Sequence, residues 1–194
     1  MNKLELQNQS KVVDMMLTMH SILASRYKFR AQFLELSILG ISIVLVATAF
    51  LDPQIISFFN LNTQSTRVLI GVCSILVFFF SIVSLIVDWK GKATLHREAF
   101  KTLIPLKAEW RDVLASYDEH DDRSRAEFTC KSSLIIGNLI PNPDAKFNKL
   151  KACHYKKIYL SKLISNHPGS SIIMLKLCLW FKSNSKTIKN NLLN

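Results

Sequence analysis

The sequence predicts an all-α membrane protein: a two-transmembrane helical hairpin whose long helices extend into a helical cytoplasmic domain. Three observations predict it. The apolar residues gather in two charge-free runs, the basic residues gather on one side of those runs, and the flanking segments repeat apolar residues at helical spacing. The 194-residue chain is 49% hydrophobic, with 25 Lys+Arg against 14 Asp+Glu and a net charge of +11. Its mean hydropathy is +0.19 and its pI about 9.6. A soluble DNA-binding domain would account for the charge but not for the hydropathy. The length excludes a large multidomain enzyme.

Four regions follow from this distribution: an N-terminal cytoplasmic amphipathic helix (1–32), the hairpin (33–87), a cytoplasmic helical region (88–168), and a basic tail with a short apolar segment (169–194). Within the hairpin the spans are 34–51 and 68–87, around an outer loop at 52–67.

The second span carries the stronger signal. Val68 to Val87 reads VLIGVCSILVFFFSIVSLIV, twenty residues without a charge. At about 1.5 Å per residue that helix matches the roughly 30 Å hydrocarbon core of a bilayer. Asp88, Trp89 and Lys90 follow at once, a charge and an aromatic ring at interface depth. In the first run, Leu36 to Leu51 is charge-free for sixteen residues between Glu35 and Asp52. Phe33 and Leu34 lengthen it, and Asp52-Pro53 predicts its end, because proline disfavours α geometry in the residue before it. A signal peptide is the alternative, but the run begins more than thirty residues in and lacks a short basic leader with a cleavage site.

Charge sets the orientation. Arg26, Lys28 and Arg30 precede the first span, and Lys90, Lys92, Arg97, Lys101 and Lys107 follow the second. Only Arg67 lies in the loop, so the positive-inside rule predicts both termini in the cytoplasm. The four cysteines (Cys73, Cys130, Cys153, Cys178) are irregularly spaced, which supports neither a disulfide framework nor a zinc site.

The cytoplasmic segments read as helices. Val13, Leu17, His20, Ala24, Tyr27, Ala31 and Leu34 recur at 4-3-4-3-4-3, a heptad seam running into the first span. Ala99, Leu103, Leu106, Trp110, Val113 and Tyr117 form a second seam, flanked by His96 and Phe100, and Pro105 is expected to bend that helix. The seams suit pairing with each other or self-association. The acidic cluster DEHDDRSRAEF (118–128) reads as a turn and helix start capped by Asp121 or Asp122, with Glu127 inside a helix ending at Gly137 or Asn138. Pro141-Asn142-Pro143 marks the next turn, with Asp144 as an N-cap and a helix from Ala145 to about Ser165. That helix carries Phe147, Leu150, His154 and Ile158 on one face. SSIIMLKLCLWF (170–181) is too short to span and suits a membrane-surface helix, a strand or a protein contact, and the end of the chain is expected to fray.

No catalytic motif is present, so the chain reads as a non-enzyme with no cofactor and no metal site. His20, His96 and His154 sit at or beside helical faces, but each lacks a second ligand three or four residues away. Two spans can line a pore after oligomerising. On the second span Gly71, Ser74, Ser81 and Ser84 fall at 3-7-3 spacing, interrupted by Phe78. Such a stripe packs helices closely or lines a polar lumen, and Phe78 would gate it. The last fifty residues hold ten lysines and no acid, which predicts attraction to the anionic lipids of the cytoplasmic leaflet. The sharper reading is an anion-sensing site at Lys149, Lys151, His154 and Lys157. No sequence-specific nucleic-acid binding is expected.

The order of elements, the stretch DWKGKATLHREAFKTLIPLKAEW and the helix FNKLKACHYKKIYLSKLISNHP resemble the SLATT family, the SMODS- and SLOG-associating two-transmembrane effector domains of bacterial conflict systems. The resemblance covers residues 10–168 and rests on Trp89 to Lys92 with His96 and Ala99, and on Phe147, Lys151, His154, Lys157 and Ser161. It implies an antiphage effector of the bacterial inner membrane that oligomerises and forms a pore, or disrupts the membrane, when triggered. The trigger would be a signalling enzyme, a nucleotide second messenger or a reverse transcriptase partner. The alternative is a membrane-anchored helical module that tethers or restrains a partner protein.

Overall fold

The computed structural model describes residues 3–49, 63–117 and 121–191, and every element among them is an α-helix. In chain order these are α1 (Lys3–Ala49), α2 (Thr63–Val87), α3 (Trp89–Ala115), α4 (Asp122–Gly137), α5 (Asp144–Asn166) and α6 (Ile172–Asn191). The amphipathic segment and the first apolar run form one unbroken rod of 47 residues, about 70 Å long at 1.5 Å per residue. Two helices are long and apolar enough to cross a membrane, and almost none of either apolar window is buried inside the protein. The second begins at Thr63, five residues before the expected span, since TQSTR joins its first turns. Asp52-Pro53 lies outside the described residues.

α2 and α3 lie in succession along α1. Glu35 meets Lys90, His20 meets His96, and Asp14 meets Lys107, so residue numbers run in opposite directions and the pairing is antiparallel. The two predicted seams face each other within one chain. Leu6 and Val13 of α1 pack with Leu103, Leu106 and Trp110 of α3 in a fully buried cluster. Phe128 of α4 closes it, its ring meeting that of Trp110 edge to face at 4.8 Å. Pro105 lies inside α3 on its exposed side, and the helix continues through it. The proline is tolerated there because the carbonyl that loses its i+4 N–H donor belongs to exposed Lys101.

A second cluster, which the heptad seam did not contain, joins α5 to the other side of α1. Leu150 fills the space between Met19 and Leu23, with Met15, Ile22 and Tyr27 around it. α4 is capped by Asp121, whose carboxylate accepts from the Asp122 N–H at 2.8 Å, and ends at Gly137. α5 starts one residue early: Pro143 occupies the cap position without a side-chain bond and Asp144 is the first helical residue. A carboxylate in the first turn still favours the positive end of the helix dipole. The segment after Gly169 is helical, and the backbone stays helical through Asn191 rather than fraying. Ile172, Ile173, Met174, Leu177, Trp180 and Phe181 of α6 are all exposed.

Candidate functional site

Two places in the fold bring chemistry-bearing residues together, the apolar half of α2 and the junction of α1, α3 and α5. On α2, the half-buried residues are Ile70, Cys73, Val77, Phe80, Val83, Ser84 and Val87, and all but Val83 fall at 3-4-3-4-3 spacing on the side of α1. Their counterparts on α1 are Leu34, Ser37, Ile38, Ile41, Ser42, Leu45 and Thr48. Of the pore-lining candidates, only Ser84 belongs to this seam. Gly71, Ser74, Phe78 and Ser81 are exposed and lie one residue further round the helix, roughly 100° away. Their small side chains are therefore not spent on packing the two apolar helices against each other. The Ser74 and Ser81 hydroxyls donate to the carbonyls of Ile70 and Val77 at 2.9 and 2.8 Å, so each keeps acceptor capacity toward the outside. The Phe78 ring stands 68% exposed in the middle of the stripe.

Asp88 separates α2 from α3. It adopts φ 42°, ψ 56°, and no other non-glycine residue among the described ones has positive φ. Asp is among the few side chains that enter this left-handed region. Its carboxylate accepts from the Gly91 N–H at 2.8 Å, a helix N-cap that also sets a negative charge at the positive end of the α3 dipole. Gly91 permits this, since a Cβ there would lie 2.1 Å from Asp88 Oδ2. The sequence carried the signal, an Asp three residues before a Gly at the end of an apolar run.

About thirteen ångströms beyond the end of α2, by helical rise, the imidazoles of His20 and His96 meet. Their Nδ1 atoms are 3.0 Å apart and both rings are buried. Tyr27 stacks on His96 with ring centroids 5.7 Å apart and planes 10° off parallel. Lys146 of α5 donates to the Tyr27 hydroxyl at 3.3 Å, its Nζ lying 5.2 Å from the ring centroid. Burial, and then the neighbouring His96, pushes His20 from 6.5 down to about 4. Burial, and then Lys146, lowers His96. Two neutral rings share one hydrogen bond, so one Nδ1 is protonated and the other bare. His20 Nε2 is buried without a partner among the described residues, and a bare lone pair is cheaper to bury there than an N–H. His20 is therefore the donor and His96 the acceptor, with the His96 proton on Nε2. Among the described residues no group of three or more His, Cys, Asp or Glu is placed to hold a metal.

The sequence-predicted anion-sensing residues all lie on α5 but differ in exposure. Lys149, Lys151 and Lys157 are exposed, whereas His154 turns inward and is buried. It lines a cavity of about 430 Å³ with Asp14, Met15 and Lys107, where Lys107 and Asp14 form an ion pair. Cys73, Cys130, Cys153 and Cys178 are all free thiols, and Cys153 Sγ lies 3.8 Å from an Arg26 guanidinium nitrogen. Comparisons with protein-family models, with curated proteins and with solved structures return no match to this chain.

Proposed function

We propose that the chain is a membrane effector of the SLATT kind, with α1 and α2 as a hairpin across the bacterial inner membrane and both termini in the cytoplasm. Copies assemble through α2 and open a pore, or otherwise breach the bilayer, when a partner or nucleotide signal acts on the cytoplasmic helices. One observation carries this reading: the Gly71, Ser74 and Ser81 face of α2 is exposed, while a different face packs on α1. Small and hydroxyl residues on a free face of an apolar helix let neighbouring helices approach closely and hydrogen-bond across the contact. A single hairpin cannot enclose water, so the assembly is a homo-oligomer.

A second reading is favoured by Phe78. An exposed ring in the middle of the stripe would obstruct a lumen, which suits a hairpin that only tethers its cytoplasmic helices to restrain a partner. Controlled expression in bacteria, with growth and a membrane-potential dye as readouts, separates the two. The pore reading expects depolarisation that Ser74→Leu with Ser81→Leu abolishes and Phe78→Ala increases. Depolarisation unchanged by either variant would remove α2 from the breach, and normal growth with intact potential, with and without the neighbouring genes, would leave the tether.

A further inference from the structure

A cleft of about 560 Å³ opens between α1 and α3 directly below the two apolar helices. Its upper edge is the Lys90–Glu35 ion pair at 3.3 Å, and its walls carry Lys28 from α1 and Arg97 from α3. Small side chains, Ala24, Ala31 and Ala93, keep it open. Glu35 offsets Lys90. Lys28 and Arg97 are exposed and make no ion pair or hydrogen bond among the described residues, which leaves two uncompensated cations facing one cleft.

Depth identifies what such a cleft would hold. Lys90 and Arg97 stand three and ten residues beyond Val87, the last residue of α2, so the α3 wall lies about 5–15 Å below the apolar edge by helical rise. A bilayer's polar layer occupies roughly 5–8 Å on each side of its hydrocarbon core. Helical side chains tilt toward the helix N-terminus, which for α3 is the membrane end, so the Arg97 guanidinium is carried up toward that layer. A guanidinium offers paired donors to phosphate oxygens, and an ammonium adds a point charge.

We propose that this cleft binds the phosphate of an anionic phospholipid headgroup from the cytoplasmic leaflet, with Arg97 and Lys28 as its ligands. The chemistry is that of any phosphate-bearing anion, and the location commits it to lipid rather than to a soluble phosphate. The inference rests on α1 and α2 crossing the bilayer, but not on pore formation.

The test uses the full chain in mild detergent, with thermal unfolding followed by tryptophan fluorescence while phosphatidylglycerol, phosphatidylcholine or inorganic phosphate is added. Phosphatidylglycerol is expected to raise the midpoint where phosphatidylcholine does not. Arg97→Gln with Lys28→Gln should raise the phosphatidylglycerol concentration for half effect at least fivefold. Lys156→Gln with Lys162→Gln removes the same charge from exposed positions on α5 and should leave that concentration unchanged. Equal loss in both double variants would reduce the effect to bulk charge and overturn the cleft. Inorganic phosphate reproducing the shift at millimolar concentration, dependent on Arg97 and Lys28, would make the occupant a soluble anion and overturn the lipid assignment. A parallel arm asks whether the chain resists alkaline extraction from pure phosphatidylcholine vesicles. Extraction there would sink the membrane reading and this proposal together, whereas resistance with no phosphatidylglycerol preference would sink the proposal alone.

Discussion

Acidification should destabilise the packing of α1 against α3 through His20. Its ring is fully buried, shares its proton with His96, and titrates near 4 instead of 6.5. The folded state therefore prefers the neutral ring and the unfolded chain binds the proton more readily, so stability is full above about pH 6.5 and falls as pH drops toward 4. The span from 6.5 to about 4, at about 1.4 kcal/mol per pH unit, gives a loss of about 3 kcal/mol when complete and about 2 kcal/mol by pH 5. For a chain of this length 2 kcal/mol corresponds to a Tm decrease of about 4–8 °C. The groups facing the pair, Tyr27 and Lys146, bear no negative charge near neutrality and so cannot offset the imidazolium. The assay is thermal unfolding of the full chain in detergent between pH 7.5 and 4.5, with the buried Trp110 as reporter, for the wild type and His20→Asn. The variant should start lower, because the shared hydrogen bond is gone, but its Tm should decline less steeply below pH 6.5. Carboxylates that titrate in the same range are common to both proteins and cancel in the difference. Equal slopes would refute the reasoning.

Three further outcomes follow from the packing and the caps. Trp110→Ala empties the centre of the α1–α3–α4 cluster and should cost about 3–5 kcal/mol, read as a lower urea midpoint with the helix signal lost at lower temperature. Asp88→Gly should be milder than Asp88→Ala by about 1 kcal/mol or more in thermal unfolding, because glycine accepts the positive φ that alanine resists although both lose the cap. Glu35→Gln breaks an exposed ion pair and should change stability by less than about 1 kcal/mol, an effect that 0.5 M salt should erase.

Much of the fold was legible because the seams obey one periodicity. Val13, His20 and Leu34 are buried on the α1 seam, as are Ala99, Leu103, Leu106 and Trp110 on that of α3. Turn chemistry placed the ends of α4 to within one residue: of Asp121 or Asp122 the cap is Asp121, and of Gly137 or Asn138 the last helical residue is Gly137. What stayed hidden depends on register between helices. His20 and His96 are 76 residues apart, and nothing local to either tells that the antiparallel seams align them face to face. His154 was grouped with Lys149, Lys151 and Lys157, but the face of α5 that docks on Met19 and Leu23 buries it while its helical neighbours Lys151 and Lys157 stay exposed at the edge of that face. The stripe on α2 was visible as a pattern, yet which of two adjacent faces α1 would cover was not. Both are apolar enough, and the bulkier one won because it buries more surface.

The break at Asp88 makes the two legs of the molecule mechanically unequal. α1 is a single stiff strut from Lys3 to Ala49, so a push on its lower end is transmitted unchanged to its upper end. The other leg passes through one residue's pair of dihedral angles, held by the Asp88 carboxylate on the Gly91 N–H and by the Lys92 N–H on the Asp88 carbonyl. A change in those two angles alone would alter the direction of α2 relative to α3 without disturbing the hydrogen bonding inside either helix.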